Sequence, residues 1–144
     1  PFWLPSSAPD SNQIAFMSGV PGTGDGIFVM NADGSGVSQL TDDWDSYSYS
    51  DSDPSWSSDG NKIAFHRYRF NEQDDSIFVM NADGTGVTQL TNNNDDDDMW
   101  PVWSPDGTQI AFARNRGWEI FVMNADGSDV VSLGQRGWPK SWGG

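Results

Sequence analysis

Acidic side chains dominate the chemistry open to this sequence. Of its 144 residues, 21 are Asp or Glu against 7 Lys or Arg, a formal net charge of -14. The acids gather in two stretches, Asp42, Asp43, Asp45, Asp51 and Asp53 in one and Asp95, Asp96, Asp97 and Asp98 in the other. Calcium takes about six to eight oxygens from carboxylates and loop carbonyls, so a subset of these residues forms the candidate metal site. Asp51 and Asp98 each stand three residues before the proline of a Pro-x-Trp element, which makes their places equivalent. The competing reading is a solvated acidic rim that keeps the protein soluble.

Catalytic chemistry finds less support. His66 is the one histidine and there is no cysteine, so a histidine metal triad and a thiolate site are both excluded within one chain. Gly-x-Ser-x-Gly, the elbow of serine hydrolases, does not occur. No catalytic residue is therefore assigned, and apart from calcium no cofactor is expected. The negative charge excludes a nucleic-acid backbone binder, which needs the opposite sign. Apolar runs of four or five residues are far too short to insert in a membrane. Aromatic residues outside the repeated pattern, among them Trp44, Tyr47, Tyr49, Trp100 and Trp118, lie near carboxylates, a pairing suited to stacking on sugar rings.

The elements that position these residues are set by a repeat. Ile-Phe-Val-Met-Asn-Ala-Asp-Gly occurs at 27–34, 77–84 and 120–127, each time preceded by Ile-Ala-Phe, at 14–16, 63–65 and 110–112. Downstream runs Val37 to Thr41, then Val87 to Thr91, then the weaker Val130 to Leu133. Pro54-Ser55-Trp56 and Pro101-Val102-Trp103 open the second and third units. Four short apolar runs in a period of about 40–50 residues are the mark of a four-stranded propeller blade. The runs are rich in Ile, Val, Phe and Trp and bounded by Gly, Asp, Asn and Pro, as strands are. Asn-Ala-Asp-Gly is read as the turn between the third and fourth strands, with Gly34, Gly84 and Gly127 at positive φ.

Pro-x-Trp-Ser-Pro-Asp-Gly-x-x-Ile-Ala-Phe followed by Ile-Phe-Val-Met-Asn-Ala-Asp-Gly resembles the TolB-type, WD40-like β-propeller repeat, in three copies over almost the whole chain. The resemblance implies an all-β propeller with blades at about 1–45, 51–92 and 98–134 in a single repeat domain. It also implies an extracellular or periplasmic setting. TolB-type rings usually hold six blades, and three would leave two apolar blade faces bare. Two copies joined head to tail close such a ring, and a head-to-tail filament is the open alternative. Aligned without gaps, Ser7 falls where the repeat has Trp; a shifted alignment uses Pro1-Phe2-Trp3 instead. Residues 138–142 read as a spare inner strand, Trp138-Pro139-Lys140-Ser141-Trp142 resembling Trp100-Pro101-Val102-Trp103 with one extra residue; it either completes the first blade of a neighbouring subunit or marks the sequence as a piece of a longer propeller. The assembly residues are therefore Trp3, Ser7, Trp138, Pro139 and Trp142. The expected function is a non-enzymatic binding module whose partner is a second copy, then a protein or glycan. The alternative is a propeller of a polysaccharide lyase or peptidase, acting on or gating substrate in a central channel.

Overall fold

The structure, a computed structural model, describes residues 5–10, 12–19, 25–41, 48–92, 96–115 and 117–142. Among the described residues, twelve strands form three antiparallel four-stranded sheets. The first sheet holds β1 (Ser6–Ser7), β2 (Gln13–Gly19), β3 (Asp25–Asn31) and β4 (Ser38–Gln39). The second holds β5 (Tyr49–Trp56), β6 (Lys62–Arg69), β7 (Asp74–Asn81) and β8 (Thr88–Gln89), and the third β9 (Asp98–Trp103), β10 (Gln109–Arg114), β11 (Glu119–Asn124) and β12 (Val131–Arg136). Strand order follows chain order in each, so every sheet is a meander of hairpins, one blade.

The same register recurs three times. Ala15 faces Val29, Ala64 faces Val79 and Ala111 faces Val122, while Phe16, Phe65 and Phe112 face Phe28, Phe78 and Phe121. Because alternate residues point to opposite faces of a sheet, each blade has two different apolar sides. The middle blade places Trp56, Ile63, Phe65, Phe78 and Met80 against Ala15, Ile27 and Val29 of the first. Its other side places Ala64, Ile77 and Val79 against Trp103, Ile110, Phe112 and Met123 of the third. The third strand is apolar at successive residues because both its faces are covered.

Turn chemistry fixes the hairpins. Gly34, Gly84 and Gly127 have φ of 83°, 86° and 88°, a backbone region that costs glycine little. The preceding aspartates accept from the residue after the glycine: Asp33 from Ser35, Asp83 from Thr85 and Asp126 from Ser128. These acids belong to turns.

The fourth strands depart from the sequence expectation. The two stronger runs give strands of only two residues, whereas the weaker run gives the six-residue β12. Threonine is the reason. Thr41 Oγ1 accepts the Ile27 N–H at 3.0 Å and Thr91 Oγ1 accepts that of Ile77 at 2.9 Å, so a side chain takes the donor the ladder would use. The third blade has no threonine there, and its ladder runs on from Val122–Val131 to Glu119–Arg136.

Candidate functional site

The equivalent acids Asp51 and Asp98 are fully buried, and each meets an arginine from the neighbouring strand. Arg67 Nε and a terminal nitrogen donate to the two Asp51 oxygens at 2.6 and 2.7 Å. Arg114 does the same to Asp98 at 2.7 and 3.0 Å. Arg67 also lies over the Tyr49 ring at 3.8 Å and Arg114 over Phe121 at 4.5 Å. A planar fork matched to a carboxylate and stacked on a ring suits arginine and not lysine. These two aspartates thus act as ion-pair partners inside their blades. Asp97 accepts from the Asn115 side chain at 2.5 Å. Asp42, Asp43, Asp45 and Asp95 lie outside the described residues, and among the described residues no three His, Asp or Glu side chains group as metal ligands.

A second polar group belongs to the middle blade alone. Ser52 Oγ and His66 Nε2 share a hydrogen bond at 2.8 Å. The other ring nitrogen, Nδ1, stands 3.4 Å from Asp53 Oδ2, and Asp75 Oδ1 is 3.7 Å from Nε2. Asp53 is the bulge residue before Pro54, held at φ 50°; its counterpart Trp100 has φ 56°. Asp75 N–H donates to Asp97 Oδ1 at 3.4 Å, which draws a second carboxylate from the next blade to this place. Arg69 pairs with Asp74 and with Glu72. Burial pushes the Asp53 carboxyl up to about 6. Burial, then the charges of Asp97, Asp74 and Asp53, push Asp75 up to about 7. Burial lowers His66 to about 4. His66 is 8% exposed. Serine, histidine and aspartate here have the order of a hydrolytic triad, but a base lowered to about 4 and a serine 8% exposed are poorly suited to attack on a carbonyl.

The ends of the chain bear the assembly residues. Ser7 pairs with Ile14 as Trp56 pairs with Ile63 and Trp103 with Ile110, so the ungapped alignment holds and Ser7 stands in a tryptophan's place. Trp3 lies outside the described residues. At the two internal junctions the backbone N–H of the incoming tryptophan donates to the middle residue of the preceding inner strand, Trp56 to Ser6 Oγ and Trp103 to Ser55 Oγ. Trp142 reaches the equivalent residue of the third blade by a different bond, its indole N–H donating to the Val102 backbone carbonyl at 2.9 Å. Trp138 packs against Trp100 with ring centroids 5.7 Å apart, and Trp100 against Trp118 at 5.2 Å; Pro139 follows in the same tail.

The TolB beta propeller domain model, PD40, matches residues 46–141. The chain belongs to the TolB beta propeller family. No curated protein matches it. A TolB structure from Agrobacterium tumefaciens is similar, with TM-score 0.76 and 22% identity over 92% of this chain and 48% of that one. TolB from Acinetobacter baumannii gives TM-score 0.75 and 22% identity over 95% of this chain and 33% of that one. A puromycin-hydrolyzing peptidase of Mycobacterium tuberculosis gives TM-score 0.67 and 16% identity over 94% of this chain and 22% of that one. The TolB-family chain thus spans half or less of each of these structures, and the likeness is one of fold. No helix among the described residues is long and apolar enough to cross a membrane.

Proposed function

We propose that this propeller module works by self-association, two copies meeting head to tail in a ring of six blades that presents a binding surface to protein or glycan outside the cytoplasm. One observation carries the reading: the residues that cover the internal junctions recur, uncovered, at the two ends. Leu40 and Leu90 pack into the first and second junction cores, whereas their equivalent Leu133 is 52% exposed. A side chain at Gly84 would strike the Leu40 carbonyl at 2.8 Å and one at Gly127 the Leu90 carbonyl at 3.0 Å, yet nothing lies within 4 Å of Gly34. Ile14, Phe16, Phe28 and Met30 are half-buried, while their equivalents Ile63, Phe65, Phe78 and Met80 are buried.

A second copy offers Gly34 and its phenylalanines to Leu133 and Ile120 of the first. The tail fits the same scheme, because the Trp142 indole bonds the inner strand of the third blade at Val102 and Ser7 stands where the other units carry a tryptophan. Covering both apolar faces favours association by the hydrophobic effect. Light scattering of the intact chain against Leu133→Glu at matched concentration tests this; equal, monomeric masses for both would refute it. Calcium is proposed for the acid-rich loop at Asp42, Asp43 and Asp45 and for Asp95. Added calcium should raise the thermal midpoint and chelator reverse it; an unmoved midpoint removes calcium from the proposal.

A further inference from the structure

The polar group of the middle blade is not required by the fold. The positions of Ser52, Asp53, His66 and Asp75 carry Met99, Trp100, Ala113 and Trp118 in the third blade, and the first blade carries Trp3, Leu4 and Met17 at the first three. Identical strand registers are therefore built with apolar residues at the first three of these places, whereas at the fourth the first blade also has an acid, Asp25. What the middle blade adds is a concentration of carboxyl groups. Asp53, Asp74, Asp75 and Asp97 come from β5, β7 and the segment before β9, and the cation beside them, Arg69 of β6, is shared between Asp74 and Glu72. A separate observation points to a ligand. His66 is 8% exposed, yet its Nδ1 makes no hydrogen bond although it faces Asp53 Oδ2 at 3.4 Å. The Asp75 Oδ1 atom is buried and also makes none. Leaving a buried carboxylate oxygen unmatched away from water is costly, so a group that supplies donors to Asp75 is favoured there.

We propose that this junction between the second and third blades binds the guanidinium of an arginine side chain presented by a peptide partner. The acceptors do not converge as ligands of a point ion would, since Asp53 faces one nitrogen of the imidazole ring and Asp75 the other. A planar cation with five N–H donors can reach acceptors spread in this way. The same blades already seat Arg67 and Arg114 guanidinium groups on buried carboxylates. Asp53 and Asp75 are 20% and 13% exposed, which leaves an approach from solvent. The site lies within one chain and does not depend on self-association.

The experiment is an NMR and calorimetric titration of the intact chain with the tripeptide Gly-Arg-Gly and its neutral isostere Gly-citrulline-Gly. Saturable 1:1 binding of the arginine peptide is expected, with His66 and Asp75 resonances moving and the citrulline peptide bound at least about tenfold more weakly. Asp75→Asn should weaken binding by a similar factor, and so should His66→Ala, which installs the residue that the third blade carries there. Asp126→Asn, in an exposed turn, should leave binding unchanged. Thermal midpoints of the variants within a few degrees of the parent would exclude unfolding as the cause. Equal binding of the two peptides, equal weakening by Asp126→Asn, or competition by millimolar calcium but not by guanidinium would each overturn the proposal. The result is separable from the assembly reading, because a monomer can bind and a ring can fail to.

Discussion

The two internal junctions and the two chain ends carry nearly the same residues in opposite circumstances. Phe65 and Phe78 lie in a core between blades, while Phe16 and Phe28 make the same stacked pair, with centroids 5.8 Å apart, on a half-covered face. Leu40 and Leu133 differ in the same sense. The difference teaches that a blade's apolar sides are specified by the repeat, whereas their burial depends on which neighbour is present. One residue breaks the equivalence: the inner strand of the first blade has Ser7 where the others have Trp56 and Trp103. The other end has Trp142 to spare.

Substitutions at equivalent positions can break this comparison. The largest effect is expected inside a junction, where Phe65→Ala should cost about 3–5 kcal/mol in denaturant unfolding through lost burial and the cavity left behind. Phe16→Ala should cost less when dilute and approach that value as concentration rises, since association links stability to mass action. An equal cost at every concentration would mean that Phe16 is already fully covered in the single chain. The buried ion pairs come next. Asp51→Asn or Asp98→Asn leaves an arginine without its partner charge, and removing one member of a buried pair costs about 3–5 kcal/mol at the upper end. A loss well below that in both variants would mean the two guanidinium groups are solvated.

A smaller effect distinguishes the middle blade from the third by pH. Asp53 and Asp75, raised from 3.8 to about 6 and about 7, hold protons in the folded chain that the unfolded chain has released. Their contribution is therefore complete below about pH 4 and is lost as pH rises through those values. His66, lowered from 6.5 to about 4, acts in the opposite direction. In His66→Ala the opposition is gone, so the thermal midpoint should fall between pH 4 and 7. Adding Asp53→Asn and Asp75→Asn should flatten the curve. A midpoint that stays level in His66→Ala would show that these carboxyls titrate as exposed groups do.

The fold was legible because Ile-Ala-Phe and Ile-Phe-Val-Met-Asn-Ala-Asp-Gly recur with turn residues between them, and register follows from such spacing. The lengths of the fourth strands were not, since Thr41 and Thr91 stop the ladder through a side-chain hydrogen bond that strand propensity does not register. Asp51 and Asp98 were recognised as equivalent, but their partners were missed. A signal existed: Arg67 and Arg114 each stand two residues after the phenylalanine of Ile-Ala-Phe, in the same two units that carry the aspartate. The grouping of Ser52, Asp53 and His66 with Asp75 and Asp97 could not be read from spacing, because it joins three strands and the segment leading into the next blade. Comparing the units position by position would have marked Ser52, Asp53 and His66, as polar residues where the other units have Met, Trp, Leu or Ala.

Sedimentation of the intact chain and of a chain ending before Trp138, at matched concentrations up to tens of micromolar, tests the central claim most directly. The account predicts a species of twice the 15.8 kDa chain mass for the intact protein and clear weakening on truncation. Ser7→Trp should make assembly less dependent on the tail. An intact chain that remains monomeric throughout that range, or a truncated chain that assembles as well as the intact one, would contradict it.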